Sequence, residues 1–304
     1  MFISLDQPPQ GADGMFWADF AEIRALIHPD KCFTSGDLAG IAQRAKDMGR
    51  NFEPEARWRD ILSYVQIRIS AFGAAYPFEV SEDQDTIAVK FDGLSPQKLY
   101  LALLLASSMR TLAKNRRNSV ARIFEEISYS IFAKLLPPGS QVRATWAGAG
   151  QAAPYAGSLF QKLTQLASDL RCTPNFAEAD FNPGDTGDGG MDIIAWHPMS
   201  DSRSGIPIAM AQCGCSKNDW EHKQLEAHPV KHSQRLPVMH PWTNYYFMPL
   251  DFRRADGDWA KKSDIGEVII IDRLRIMGLA DQFDAFDKMP ELAYVDEAYA
   301  TAIA

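Results

Sequence analysis

The spacing of apolar residues differs between the two ends of the chain. Residues 54–72 carry apolar side chains on one stripe with a period near 3.6, which predicts a helix. Residues 1–30 show no such period and are interrupted by Pro8 and Pro9, so we expect them to be irregular. Further helices are predicted at 34–48 and 95–113, and a hairpin at 78–91. The first third therefore predicts a mainly helical region with a hairpin.

Strand patterns dominate the rest of the chain. Residues 268–271 are apolar without a break, which indicates a strand buried on both faces and a sheet flanked by helices. Helices are predicted at 119–136, 157–170 and 219–227, and strands at 192–197, 206–215, 244–252 and 267–272. We therefore predict an α/β fold with a mixed sheet flanked by helices. A mainly helical N-terminal accessory domain precedes it.

Composition sets the outer limits of this interpretation. The chain has 304 residues, is 46% apolar and 23% charged, and carries a formal charge of −8. These values are typical of a globular protein and argue against strong non-specific nucleic-acid binding. The apolar run at 99–106 is too short to span a bilayer, and no signal peptide is recognisable. Four cysteines form no disulfide framework, so we expect a soluble cytoplasmic protein with no membrane association and reduced thiols.

A basic stretch at 110–122 coincides with a change in composition, and it places a domain boundary near residue 115. We predict a partner-binding accessory domain at 1–115 and an α/β domain at 116–304. The basic stretch itself could contact phosphate, or it could be a solvated helix end with cations near its C-terminus.

Candidate chemistry lies on two neighbouring predicted strands. A Gly-rich turn, 187–190, precedes Asp192 at the start of one strand, and Gln212 continues the apolar face of the next. Adjacent antiparallel strands that present oxygen atoms side by side can bind a divalent metal ion. The alternative is structural: Asp192 would cap a turn, and the Gln212 amide would bond to backbone. An unpaired buried amide costs about 1–3 kcal/mol, so Gln212 must be satisfied or used.

A third candidate lies on the predicted helix 119–136. With 100° per residue, Glu125 borders the apolar stripe of that helix, whereas Glu126 points nearly opposite, toward solvent. If one of the two reaches into the fold, we expect it to be Glu125. A solvated helix glutamate is the alternative for either residue.

The order of these features resembles the PD-(D/E)XK nuclease superfamily. Within it, the sequence is most similar to the Mrr-like, restriction-endonuclease-like branch, in which glutamine replaces the second acid. The matching segments are 124–125, 187–195 and 211–213, within a region of about 119–280. The resemblance implies Mg²⁺- or Mn²⁺-dependent cleavage of phosphodiester bonds, with Glu125, Asp192 and Gln212 around the metal. It also implies nucleic acid as substrate, DNA rather than RNA, and a role as effector of a bacterial anti-phage or restriction system.

One position departs from the family pattern, which expects a lysine two residues after the glutamine. This chain has Gly214 there. Lys217 is the nearest substitute, because a bend at Gly214 could bring it back to the site. Lys223 and Lys231 are the alternatives. A catalytically degenerate subunit that binds nucleic acid or acts as a scaffold is the competing function. In either case the N-terminal domain would contact a partner subunit, a second copy or the nucleic acid.

Overall fold

The computed structural model describes residues 1–2, 8–9, 11, 13–44, 52–146 and 154–302. The predicted end of a helix near Met48 and most of the Gly/Ala-rich loop at 147–157 lie outside these ranges. The chain forms two compact units. Unit 1 comprises Met1–Phe124, Pro249–Lys262 and Asp272–Ala304, and unit 2 comprises Glu125–Met248 and Ser263–Ile271. The predicted division into an accessory domain at 1–115 and a nuclease domain at 116–304 stays a prediction.

Helices and strands are numbered in chain order. The α-helices are α1 Gly14–Ile27, α2 Ser35–Arg44, α3 Pro54–Phe72, α4 Ser95–Ala106, α5 Lys114–Leu135, α6 Leu159–Asp169, α7 Trp220–Lys223, α8 Pro229–His232, α9 Arg273–Gln282 and α10 Ala293–Ala300. The strands are β1 Cys32–Thr34, β2 Phe78–Val80, β3 Thr86–Val89, β4 Gln141–Ala144, β5 Ile193–Trp196, β6 Ile208–Cys213, β7 Thr243–Phe247 and β8 Ile269–Ile271.

Helix α1 contradicts the expectation that residues 1–30 are irregular. Twelve of its 14 residues are buried, including the charged residues Asp19 and Glu22. A helix that is buried on all sides has no polar face, so the 3.6-residue period by which a surface helix is recognised is absent. Burial of α1 on all sides therefore explains why the spacing of apolar residues did not predict this helix.

The other predicted elements of unit 1 are confirmed with small changes. Helix α3 has the predicted bounds and buries the predicted stripe, for example Trp58 and Val65. Strands β2 and β3 form the predicted antiparallel hairpin, and the short β1 adds to β3, giving the order β1-β3-β2. Helix α4 ends at Ala106, earlier than predicted.

A network of buried charges lies inside unit 1. Arg68 forms ion pairs with Asp19 at 2.9 Å, Glu22 at 2.6 Å and Asp251 at 3.0 Å. Arg273 contacts Asp19 at 3.1 Å. These residues come from segments far apart in the sequence, and each side chain is at most 3% exposed. Since removal of one partner leaves an uncompensated buried charge, the network specifies how these segments pack within the unit.

Asp272, also in unit 1, predicts a pH dependence of stability. Its carboxylate accepts from the backbone N–H groups of Phe252 and Arg275 at the start of α9. Burial, with the nearby Asp251 carboxylate, raises the pKa of Asp272 to about 6 from the ordinary value of 3.8. A carboxyl whose pKa is raised by folding stabilises the fold fully below the pKa of the unfolded chain. That contribution is lost as the pH rises through about 6.

The unfolding free energy of the wild type, relative to Asp272→Asn, is therefore expected to fall by roughly 2 kcal/mol between pH 4 and 7. Asparagine does not titrate, so the difference isolates this group. Urea unfolding of both proteins across the pH series is the measurement. The variant Asp284→Asn changes an exposed carboxyl and serves as the control. A difference between wild type and Asp272→Asn that stays constant with pH would contradict the prediction.

Unit 2 contains a mixed five-stranded sheet with the order β4-β5-β6-β7-β8. Strands β4, β5 and β6 pair antiparallel, and β6, β7 and β8 pair parallel. The predicted fold class, an α/β protein with a mixed sheet and a mainly helical N-terminal region, is confirmed. Strand β4 was not predicted, because its four residues include Gln141 and Arg143 and show no clear alternation.

The apolar core of unit 2 includes side chains of α6, β5 and β6, such as Leu163, Ile194 and Met210. Strand β6 is buried along its whole length. The helix predicted at 219–227 is only the single turn α7, followed by turns. Within the described ranges, no helix is both long enough and apolar enough to cross a bilayer.

Candidate metal site in the mixed sheet

Asp192 lies immediately before β5, at the junction with β6. Its backbone N–H donates to the carbonyl of Ala211, and its carbonyl accepts from the N–H of Thr145. Its side chain is turned inward, and Oδ2 accepts from the N–H of Cys213 at 2.7 Å. The residue is 7% exposed. The two strands that were predicted to be antiparallel neighbours, β5 and β6, are therefore confirmed as neighbours. The Asp192 carboxylate lies at their junction.

The turn before Asp192 requires glycine. Gly189 and Gly190 have φ values of +71° and +80°, which residues with a side chain rarely adopt. The Asp188 carboxylate accepts from the N–H of Gly190 at 2.7 Å and closes the turn. A Cβ at Gly190 would also lie 2.7 Å from the Cβ of Glu226. The second glycine thus makes room for a residue that is distant in the sequence.

The Asp192 carboxyl is in an unfavourable environment for its charged form. Burial raises its pKa well above the ordinary value, and the carboxylates of Asp188 and Glu125 raise it further. The Cys213 N–H and the Lys223 ammonium oppose this effect. The structure therefore places Glu125 and Lys223 within electrostatic range of Asp192. A cation bound at this place would offset the cost of ionising the carboxyl.

Gln212, on β6, carries the second candidate oxygen. The residue is 6% exposed, and its Nε2 donates to Oε2 of Glu226 at 3.1 Å. Its Oε1 is buried and has no hydrogen-bond partner among the described residues. An unsatisfied buried acceptor costs about 1–3 kcal/mol, so native folds seldom retain one without a use. A bound cation would satisfy this oxygen.

The donor atoms fit a hard divalent ion. Carboxylate oxygens of Asp192 and Glu125 and the amide oxygen of Gln212 are the ligand types that Mg²⁺ and Mn²⁺ prefer. Among the described residues, no group of three or more His, Cys, Asp or Glu side chains could hold a metal ion. A metal site here therefore depends on the Gln212 amide oxygen as a ligand, an atom that has no hydrogen-bond partner among the described residues. The role of these three residues as metal ligands stays a prediction.

Gly214 stands where the resembled family has lysine, and the structure shows why a side chain does not fit. A Cβ at this position would collide with the hydroxyl of Tyr246 and lie 2.8 Å from its Cζ. Tyr246 is fully buried on β7, opposite Gln212 in the parallel pair. A side chain at position 214 would therefore have to displace the Tyr246 ring.

Gly214→Ala is therefore expected to destabilise the protein by about 1–3 kcal/mol, the usual cost of overpacking. The Tyr246 hydroxyl is buried without a hydrogen-bond partner among the described residues, so Tyr246→Phe should cost little and should reduce the penalty of Gly214→Ala. Urea unfolding of both single variants and the double variant measures this coupling. Gly278→Ala, where a helical Cβ would meet nothing within 4 Å, is the control. Additive single-variant effects would contradict the proposed collision.

Three lysines were considered as substitutes for the lysine that the resembled pattern expects. Two of them lie on the segment between β6 and the end of α7. Lys217 is half-buried in the bend between Gly214 and α7, and Lys223 is the last residue of α7. Lys223 acts electrostatically on both Asp192 and Cys215. Lys217 as the catalytic cation stays a prediction. Lys231, the other alternative, is exposed on α8.

Cys213 and Cys215 contain free thiols whose pKa values are raised by burial, so both are expected to be neutral. They are not part of a metal-binding cluster within the described ranges. Glu226 was not recognised from the sequence. It follows Gln212 by fourteen residues, outside any regular element, and no local pattern marks it.

Comparisons with known proteins add little. No family model and no curated protein matches the sequence. A solved structure of the MspJI restriction endonuclease in complex with a 27-mer oligonucleotide is similar over 66% of this chain, with 14% identity and a TM-score of 0.31. The match spans only 37% of that protein's chain.

Proposed function

We propose that this protein is a metal-dependent nuclease that cleaves DNA phosphodiester bonds. The observation that carries the proposal is the buried Asp192 carboxylate immediately before β5, next to strand β6, on which the buried Oε1 of Gln212 has no hydrogen-bond partner among the described residues. Glu125 adds a second carboxylate within electrostatic range. A divalent ion at these oxygens would activate water and neutralise charge on the departing phosphate oxygen.

Residues of the protein would orient the Asp192 carboxylate and stabilise the charge that develops during cleavage. The Cys213 N–H orients the Asp192 carboxylate, since it holds one of its two oxygens in place. Lys223 or Lys217 would stabilise the negative charge that develops on the phosphoryl group. Such stabilisation is strongest where water is excluded. The resemblance noted in the sequence supports DNA as substrate and a role as effector of an anti-phage or restriction system. It also supports contact of the N-terminal domain with a partner subunit or a second copy.

The test is a nicking assay on supercoiled plasmid with purified protein, in Mg²⁺ or Mn²⁺ and in excess chelator. Metal-dependent conversion to open-circular or linear DNA supports the proposal. Asp192→Asn, purified in parallel, shows whether a contaminating nuclease is responsible. Binding of DNA without cleavage in either metal would favour the alternative, a degenerate subunit. That alternative is favoured by Gly214, which stands where the resembled pattern has lysine and which has no room for a side chain beside Tyr246.

A further inference from the structure

We propose that Glu226 is a positioning residue that fixes which end of the Gln212 amide faces the metal site. This inference rests on the proposed function, because it explains how a neutral amide becomes a metal ligand. The two ends of a glutamine amide have nearly the same shape, and one is a donor while the other is an acceptor. Only the oxygen end can bind a cation. A neighbouring group that turns the oxygen end of the Gln212 amide toward the metal site would therefore favour binding.

Glu226 supplies the selection by its chemistry. An ionised carboxylate accepts hydrogen bonds and donates none. Its Oε2, 3.1 Å from Nε2 of Gln212, therefore takes the NH₂ end. The flipped amide would place its oxygen against a carboxylate oxygen, which is repulsive. With the NH₂ end bound, Oε1 is the end that has no hydrogen-bond partner within the described part of the chain.

The backbone at Glu226 is held in place by several contacts. Its N–H donates to the carbonyl of Lys223, and its own carbonyl accepts from Nε2 of His232 at 2.8 Å. The carbonyl of the next residue, Ala227, accepts from the indole N–H of Trp242. Because Gly190 has no side chain, the turn before Asp192 can approach the Cβ of Glu226. The turn that precedes one proposed ligand thus accommodates the residue that orients another.

The same geometry explains why residue 212 is suited to glutamine. A glutamate at this position would bring a second carboxylate against Glu226, and like charges at such a distance oppose each other. The pair Gln212–Glu226 keeps one ligand oxygen on the strand without that repulsion. Glu226 itself acts through Gln212 and is not proposed to touch the metal.

The experiment measures Mn²⁺ affinity, by isothermal titration calorimetry or by electron paramagnetic resonance of free Mn²⁺. The four proteins are the wild type, Glu226→Ala, Gln212→Glu and the double variant. Glu226→Ala is expected to weaken Mn²⁺ binding by about 10–100-fold, the usual cost of losing a partner that orients a ligand. In Gln212→Glu, both ends of the side chain at position 212 are carboxylate oxygens, so no partner is needed to orient it. Glu226→Ala in this background should therefore not weaken Mn²⁺ binding, and it should strengthen it because the repulsion between the two carboxylates is removed. Glu267→Ala, which removes a 92% exposed carboxylate of the same unit, is the control.

The outcomes separate this inference from the proposed function. If Glu226→Ala weakens Mn²⁺ binding equally in both backgrounds, Glu226 does not act by orienting the amide, and the inference is overturned while the metal site stands. If the wild type binds no Mn²⁺, the proposed function fails.

The orienting contact is then tested by NMR in the metal-free protein. The side-chain amide resonances of Gln212 should shift on Glu226→Ala, and unchanged resonances would overturn the contact itself.

Discussion

Asp192→Asn is expected to abolish metal-dependent cleavage and to weaken Mn²⁺ binding by more than about 100-fold, beyond the usual loss for an outer-shell partner. Asparagine keeps an oxygen that can accept from the Cys213 N–H, but it loses the negative charge. Plasmid nicking and Mn²⁺ titration are the measurements. Cleavage at the wild-type rate by the folded variant would show that this strand is not the metal site.

The same variant is expected to remain folded and to be at least as stable as the wild type without metal. Burial raises the pKa of Asp192, so the folded protein loses stability as the pH rises through that pKa and the carboxyl ionises. Asparagine removes this cost. Urea unfolding at neutral pH in excess chelator tests it. A large loss of stability would mean that Asp192 has a structural role, as the turn-capping alternative proposes.

Lys223→Ala is expected to slow cleavage by about 10²-fold, by analogy with the removal of one charge-stabilising group. The reason is its electrostatic interaction with Asp192, whose pKa the Lys223 ammonium lowers. Single-turnover rates with saturating metal measure the effect, because they separate the chemical step from metal binding.

Lys217→Ala must be measured beside it, since the sequence predicts Lys217 for this role. Lys134→Ala, which changes an exposed lysine of α5, is the control. A loss confined to Lys217→Ala would assign the cation to the bend after β6. If neither Lys217→Ala nor Lys223→Ala affects the rate, the reaction uses no lysine from this segment.

The local elements around the candidate site could be predicted from the amino-acid sequence. A Gly-rich turn, an aspartate and a following apolar strand predicted the path of residues 187–196, because backbone geometry there depends on adjacent residues. Alternation along β6 placed Gln212 among apolar neighbours, and the structure buries it. Helical phase selected Glu125, and the structure puts it within electrostatic range of Asp192.

The residues from distant segments that lie beside the candidate site could not be predicted from the sequence. Glu226 and Lys223 follow β6 on a segment whose position depends on contacts with the sheet and the turn before Asp192. Tyr246 fills the space beside Gly214 because β7 pairs with β6 in one register. The sequence likewise did not predict helix α1. It also did not predict that unit 1 includes Pro249–Lys262 and Asp272–Ala304. The spacing of apolar residues along a segment predicts whether that segment is a helix or a strand. The features named above depend instead on burial and on pairing between segments that are far apart in the sequence, and no local spacing records these.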